Sequence, residues 1–177
     1  MRLAFVALVI AGAAAAAVHA QQVTQDAVPG ITNFARVQTT VACAGAVEVS
    51  AVPDIKKLGF ASIINLRQAS EQGANVEGEG AAAKAVGLNY FSIPFNAAEP
   101  DPSLVPTFLA AVTKPDNQPA FIHCAGGGRA ASMWLIKRMQ VDGWDEQKAV
   151  EETTALGLTN PRLKQFALDW VQTHGKP

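Results

Sequence analysis

The residues best suited to carry out chemistry lie together at positions 120–131, which read Ala-Phe-Ile-His-Cys-Ala-Gly-Gly-Gly-Arg-Ala-Ala. A short apolar run ends at Cys124, three consecutive glycines follow, and Arg129 precedes a long apolar segment. This order predicts a strand, a tight turn and the start of a buried helix. The backbone N–H groups of such a turn, together with the positive end of the helix dipole, would attract an anion.

The same stretch predicts a cysteine nucleophile beside an anion-binding loop. Glycines let the backbone close around an oxyanion, and an arginine guanidinium can hold two of its oxygens. The positive field would favour the thiolate form of Cys124, which is the nucleophilic form. We therefore expect Cys124 and Arg129 to be catalytic. We expect phosphate to be bound by Ala125, Gly126, Gly127, Gly128, Arg129 and Ala130.

The motif His-Cys-x4-Arg after a strand resembles the phosphate loop of the cysteine-dependent, dual-specificity-phosphatase-like proteins, most of which have one more residue between Cys and Arg. The shorter loop resembles the phosphatase-like domain found at the front of beta-lactamase-hydrolase-like proteins and as stand-alone bacterial proteins. The resemblance covers about residues 31–158. It also rests on Asn-Phe-Ala-Arg-Val at 33–37, Leu-Gly-Phe at 58–60, Ile-Ile-Asn-Leu-Arg at 63–67, Gly-Leu-Asn-Tyr at 87–90, Ile-Pro at 93–94 and Val-Asp-Gly-Trp at 141–144.

The resemblance implies hydrolysis of phosphate monoesters through a cysteinyl-phosphate, with no cofactor. Two positions depart from the family pattern. Ala130 stands where the phosphatases usually carry Ser or Thr, and Asn96 stands where they usually carry the acid that protonates the leaving oxygen. Asp101 and Glu99 are candidate substitutes for that acid, although Asp101 is equally suited to cap the following helix.

Two other functions remain open on the sequence. A short cysteine loop is also typical of rhodanese-type sulfurtransferases, whose nucleophile carries sulfur as a persulfide. The missing acid and Ala130 instead favour a module that binds an anion without turning it over. The substrate expected in all three cases is a small anionic or phosphorylated molecule.

Four neighbours of the motif carry secondary predictions. His123 could orient the loop or be a strand-end histidine satisfied by backbone, and Asn96 lies beside the predicted site. Arg67 is expected to pair with Glu71. Cys43 is a candidate redox partner of Cys124, since one disulfide could silence the nucleophile in an oxidising compartment.

Composition excludes several classes of function. The chain carries 14 basic and 15 acidic residues, a net charge of −1, with no basic run, so nucleic acid is not an expected partner. His123, His174 and the two cysteines lack metal-ligand spacing, so no metal is expected. No partner protein can be named from the sequence.

The domain prediction has three parts. Residues 1–20 have a basic start, an apolar alanine-rich stretch and the small-residue end Val-His-Ala, which is typical of a cleaved signal peptide. The expected location is periplasmic or secreted, without stable membrane insertion after cleavage. Residues 21–30 are expected to form a flexible lead-in, and residues 31–177 a single phosphatase-like domain.

The elements that position the motif alternate between strand and helix. This pattern predicts an α/β fold with a central, mostly parallel sheet of four to five strands and helices on both faces. Ligands of such sheets bind beyond the carboxyl ends of the strands, where Cys124, Arg67 and Asn96 fall. The expected strands span 37–41, 61–66, 90–95 and 119–123, and the expected helices span 52–58, 81–86, 101–114, 130–140 and 145–156, with a last helix from Pro161.

Overall fold

The computed structural model describes residues 22–38 and 40–175. The predicted signal peptide lies outside the described residues. The strands are β1 (Val23–Gln25), β2 (Ala35–Val37), β3 (Val41–Ala44), β4 (Ser62–Asn65), β5 (Asn89–Ser92) and β6 (Ala120–His123). The helices are α1 (Val52–Lys57), α2 (Val76–Ala85), α3 (Leu104–Thr113), α4 (Gly128–Gln140), α5 (Glu146–Ala155) and α6 (Pro161–His174).

The six strands form one sheet in the order β1-β2-β3-β6-β4-β5. The four strands β3, β6, β4 and β5 are parallel, as predicted, and β1 and β2 extend the sheet as antiparallel neighbours of β3. The predicted number of strands was therefore too low. β1 lies inside the segment expected to be a flexible lead-in, where its backbone groups pair with β2.

The bounds of two elements predicted from the sequence differ most from the structure. The strand expected at 37–41 is interrupted because Gln38 adopts a left-handed conformation (φ 41°), which separates β2 from β3. The helix expected at 81–86 begins earlier, at Val76, where the Asn75 side chain caps it by accepting a hydrogen bond from Gly78 N. Its internal Gly80 permits close packing, because a Cβ there would lie 3.1 Å from the Tyr90 ring.

The helices cover the two faces of the sheet unequally. Helices α3, α4, α5 and α6 pack on one face, around a core that includes Cys43, Ile122 and Cys124. Helices α1 and α2 cover the opposite face, where Phe34, Phe60 and Phe121 pack together. All four residues of β6 are buried, because the strand is covered on both faces of the sheet. Its carboxyl end therefore gives the following loop a fixed starting point.

None of the helices formed by residues 22–38 and 40–175 is long and apolar enough to cross a membrane.

Candidate active site

Cys124 directly follows β6 and begins the loop that leads into α4. Its backbone N–H donates to Ala44 O of the neighbouring strand at 3.1 Å, which fixes its position at the sheet edge. Its side chain is almost completely buried, and Sγ accepts a hydrogen bond from Gly127 N at 3.1 Å. The loop therefore folds back over the sulfur.

The turn depends on Gly127, which has φ +100° and stands immediately before α4. Residues with a Cβ rarely adopt this conformation, so a glycine is required there. The free N-terminus of α4 then lies beside Cys124, and its dipole contributes partial positive charge to the site.

The loop carbonyl groups are held by a neighbouring segment of the chain. Ala125 O accepts from Ala46 N at 3.0 Å, and Gly126 O accepts from the Asn33 side-chain amide at 3.2 Å. The contact is close, because a Cβ at Gly45 would lie 2.9 Å from Ala125 O. Sequence reasoning missed Asn33 and Gly45 as site residues, although both lie in segments near the predicted first strand.

The loop amides, by contrast, are available to a ligand. Within the described residues, no protein acceptor is hydrogen-bonded to the backbone N–H groups of Ala125, Gly126, Gly128, Arg129 or Ala130. Ala125 and Gly126 are exposed and Gly128 is half-buried, so their N–H groups are open to water or to a ligand, while Arg129 and Ala130 are buried. The first N–H groups of a helix have no intrahelical acceptor, so those of Gly128, Arg129 and Ala130 need another partner. A set of such N–H groups around a cysteine, at a helix N-terminus, is a binding arrangement for an anion.

Arg129 supplies the charged side of this arrangement. Its Nη1 donates to Leu66 O at 3.1 Å, Phe95 O at 2.8 Å and Glu71 Oε1 at 2.6 Å, while Nη2 donates to Glu71 Oε2 at 2.7 Å. A guanidinium has five N–H donors, and the Nε hydrogen and the second Nη2 hydrogen have no oxygen acceptor among the described residues. These two are adjacent and parallel, so they can hold two oxygens of one anion.

Glu71 fixes the orientation of the guanidinium. Its hydrogen bond with Arg129, reinforced by Gln68 N and Arg67, lowers the pKa of Glu71 to about 2 against the opposing effect of burial. Burial alone would lower the pKa of Arg129, but Glu71 and the nearby Cys124 raise it above its ordinary value. The guanidinium therefore stays charged and stationary at ordinary pH.

The loop that carries Glu71 is itself pinned. Arg67 donates to Gln72 O at 2.6 Å and to Gly73 O at 3.3 Å. The predicted pairing of Arg67 with Glu71 is confirmed, with Nε 3.4 Å from Oε2. What the sequence did not predict is that Glu71 makes its closer contacts with Arg129, 58 residues along the chain.

A cleft of about 530 Å³ opens above the sulfur. Cys124, Ala125, Gly126, Gly128 and Arg129 line it on the loop side. The remaining lining residues are Gln68, Glu71, Asn96, Ala97, Ala98, Gly157, Thr159, Asn160 and Leu163. A second cavity of about 800 Å³ shares Gly126, Gly157 and Thr159 with the cleft and is lined otherwise by residues from 25–35 and by Leu156.

The candidate acids occupy different places. Asn96 lines the cleft, and its Oδ1 accepts from Ala98 N at 3.0 Å. Asp101 is exposed outside the cleft lining, and its Oδ1 accepts from Ser103 N at 2.8 Å, so it caps the turn before α3. Glu99 is exposed and is also outside that lining.

His123 lies on the opposite face of the sheet from Cys124. Its ring is fully buried, with Nε2 2.7 Å from Glu79 Oε1, although the orientation does not meet the geometry of a hydrogen bond. Glu79 in turn accepts from Asn65 Nδ2 at 3.0 Å, and Asn65 also contacts the Tyr90 hydroxyl at 2.9 Å. Burial, followed by the charge of Glu79, raises the pKa of Tyr90 to about 12. This buried polar cluster lies at the carboxyl end of β6, on the face of the sheet opposite Cys124.

Cys43 lies on β3, on the same face of the sheet as Cys124, and both are free thiols. Burial, reinforced by the nearby Cys124 and Glu152, raises the pKa of the Cys43 thiol well above its ordinary value. Cys43 is therefore a poor nucleophile in the folded protein. Its role as a redox partner remains a prediction. The described residues hold no cluster of three or more His, Cys, Asp or Glu that could bind a metal ion.

The fold is that of the cysteine-dependent phosphatases. The crystal structure of TpbA from P. aeruginosa matches with a TM-score of 0.62 at 21% identity, covering 84% of this chain and 88% of that one. The catalytic core of the PP-IP phosphatase SIW14 from S. cerevisiae matches with a TM-score of 0.63 at 20% identity, covering 81% and 88%. A DUF442 protein from Shewanella putrefaciens CN-32 matches with a TM-score of 0.67 at 21% identity, covering 83% and 96%.

Sequence comparison narrows this class to one family. Residues 33–141 match the model of the beta-lactamase hydrolase-like protein, phosphatase-like domain, and the chain belongs to that family. The beta-lactamase hydrolase-like protein of Agrobacterium fabrum is 28% identical over 120 residues, which is 66% of this chain. The match spans only 27% of that relative's length.

Proposed function

We propose that the protein is a cysteine-dependent phosphatase that hydrolyses phosphate monoesters through a cysteinyl-phosphate intermediate. The observation that carries the proposal is the set of loop amides around Cys124 that have no protein acceptor among the described residues, closed on one side by the Nε and second Nη2 hydrogens of Arg129. These donors match the oxygens of a phosphoryl group better than those of a neutral ligand.

The reaction has two steps. Cys124 Sγ attacks phosphorus, the bond between phosphorus and the leaving oxygen breaks, and the loop amides and Arg129 hold the other three oxygens. A water oxygen then attacks phosphorus, the bond between phosphorus and sulfur breaks, the thiolate is regenerated and the water proton passes to solvent.

The relatives support this proposal at the level of a substrate class. A P. aeruginosa TpbA variant has been crystallised in complex with phosphotyrosine, and it matches this chain with a TM-score of 0.62 at 20% identity. A phosphorylated small molecule or side chain is therefore the substrate class to test first.

The test is hydrolysis of para-nitrophenyl phosphate under reducing conditions. We expect turnover by the unaltered protein and none by Cys124→Ser. The matched variant Arg129→Lys keeps the charge but removes the paired N–H groups, so kcat/KM should fall by about 10² or more. Acid quenching should trap phosphate on Cys124, detected by intact mass and peptide mapping. Turnover that survives in Cys124→Ser would refute the proposal.

The loop of four residues between Cys124 and Arg129 supports a second candidate, sulfur transfer. A persulfide on Cys124 needs less room than a phosphoryl group, but it makes no use of the orientation that Glu71 gives to Arg129. Thiosulfate with cyanide as acceptor, tested in parallel, separates the two functions. Cys124-dependent thiocyanate formation without ester hydrolysis would favour sulfur transfer, and anion binding without either reaction would indicate a binding module.

A further inference from the structure

The part of the cleft beyond the phosphate loop determines what happens to the leaving group. It is formed by Asn96, Ala97 and Ala98 after β5 and by Asn160 and Leu163 at the start of α6. These side chains offer amides and apolar groups. An amide can donate a hydrogen bond, but it cannot release a proton at ordinary pH.

Among the described residues that line the cleft, the one carboxylate is not free to act as an acid. Both oxygens of Glu71 accept hydrogen bonds from Arg129, and Oε1 also accepts from Gln68 N at 2.8 Å. Donating a proton would require Glu71 to be protonated, which would break the contact that orients the guanidinium.

The carboxylates of the loop after β5 are held away from the cleft. Arg129 anchors Phe95 O, and Arg162 Nη1 donates to Ala98 O at 3.1 Å, so the segment that precedes Glu99 is tied down at both ends. Asp101 accepts a hydrogen bond from Ser103 N, and the Ser103 side chain, followed by this backbone contact, lowers the pKa of Asp101, which favours the ionised carboxylate.

One further carboxylate, Asp26, lines a different cavity. Asp26 is exposed and lines the second cavity, which meets the cleft only at Gly126, Gly157 and Thr159. It does not line the cleft that contains Cys124. Among the described residues, therefore, none that lines the cleft can readily protonate a leaving oxygen.

We propose that this site acts on phosphoryl groups attached to an acidic leaving group, such as a phenol, a carboxylate or another phosphate, and discriminates against phosphates of alkyl alcohols. The inference rests on the phosphatase function proposed above. When the bond between phosphorus and the leaving oxygen breaks, the oxygen keeps the electron pair and departs as an anion, and it takes a proton from solvent only after release. Phenoxides and carboxylates tolerate this departure, whereas an alkoxide does not.

The test compares kcat/KM across aryl phosphates of graded phenol acidity and two alkyl phosphates. We expect kcat/KM to fall steeply as the leaving group becomes less acidic. We also expect no loss of activity at high pH of the kind that deprotonation of a catalytic acid would cause. General acid catalysis contributes about 10²–10⁴-fold to rate. The kcat/KM for alkyl phosphates should therefore be lower than that for aryl phosphates by at least this factor, in addition to the difference in their uncatalysed reactivity.

The substitution Asn96→Asp tests the position directly, because an aspartate keeps the acceptor for Ala98 N and adds an acid. We expect kcat/KM for alkyl relative to nitrophenyl phosphate to rise by about tenfold or more, with a new basic limb in the pH profile. Asn96→Ala is the matched control, which alters the loop but adds no acid and should not reproduce the gain.

Three outcomes contradict the proposal. A shallow dependence on leaving-group acidity in the unaltered protein overturns it, even if Asn96→Asp fails to fold. A steeper dependence in Asp26→Asn or Asp101→Asn would identify that residue as the acid and also overturns it. Absence of Cys124-dependent turnover on every ester overturns both this inference and the phosphatase function, whereas turnover with a shallow dependence overturns the inference alone.

Discussion

The contact between Glu71 and Arg129 is the most informative point at which to perturb the site. In Glu71→Gln, one acceptor is replaced by an NH2 group, so that donors of Gln and Arg129 face each other and one of the two hydrogen bonds is lost. Arg129 would still be held by Leu66 O and Phe95 O, but its free N–H pair would no longer have a fixed direction. Misplacement of a positioning group by about 1 Å costs on the order of 10² in rate, so we expect kcat/KM to fall by about 10–100-fold at pH 7.

The same substitution has a calculable effect on stability. The pKa of Glu71 falls from 4.5 to about 2 on folding, which corresponds to a ceiling of about 3 kcal/mol. The side chain is 20% exposed, so solvent screening reduces the expected contribution to about 1–2 kcal/mol. Because the folded-state pKa is depressed, this stability is present above pH 4.5 and is lost as pH falls towards 2.

Urea unfolding at pH 7 and at pH 2 to 3 measures this effect. The difference in free energy of unfolding between the unaltered protein and Glu71→Gln should be about 1–2 kcal/mol at pH 7 and should shrink as Glu71 becomes protonated. Glu77→Gln is a control on an exposed carboxylate of α2 and should change the free energy of unfolding by less than about 0.5 kcal/mol. A full-activity Glu71→Gln protein, or a stability difference that does not change with pH, would refute the role given to this contact.

Two further predictions concern the loop. Gly127→Ala should lower the free energy of unfolding by about 1–2 kcal/mol and reduce turnover, because an alanine must adopt φ +100° there. Gly126→Ala should cost less stability, because this glycine has no such φ and the added Cβ would have no neighbour within 4 Å. Equal destabilisation of the two variants in thermal unfolding would contradict this prediction. Sulfate or phosphate should raise the melting temperature more than chloride at matched ionic strength, since an anion bound only by the folded state adds stability. If the same thermal scan shows an equal rise in the melting temperature of Arg129→Lys, the anion binds elsewhere.

The chain shows which parts of a site can be predicted from sequence. The Cys124 loop is local, since strand, glycine turn and helix start are consecutive, and short-range patterns identify it. The parallel strands were likewise visible as apolar runs between helices. The hydrogen bond of Asn33 to Gly126 and that of Glu71 to Arg129 were not predicted, because the partners lie 93 and 58 residues apart in the sequence. Nothing in the local sequence of Asn33 or Glu71 indicates which loop each one contacts.

The backbone carbonyl groups and the backbone N–H groups of the Cys124 loop differ in their hydrogen bonding. The carbonyl groups of Ala125 and Gly126 are satisfied by Ala46 N and the Asn33 side chain, while the neighbouring N–H groups have no acceptor among the described residues. The N–H groups of Ala125 and Gly126 are exposed and can be hydrated, whereas Arg129 and Ala130 are buried, where an unpaired N–H group costs about 1–3 kcal/mol. That the fold uses a side chain from Asn33 and a close approach at Gly45 to hold only the carbonyls is most simply explained by a ligand that supplies the acceptors. A doubly charged tetrahedral anion supplies several at once, and Glu71 already holds Arg129 in the position to receive it.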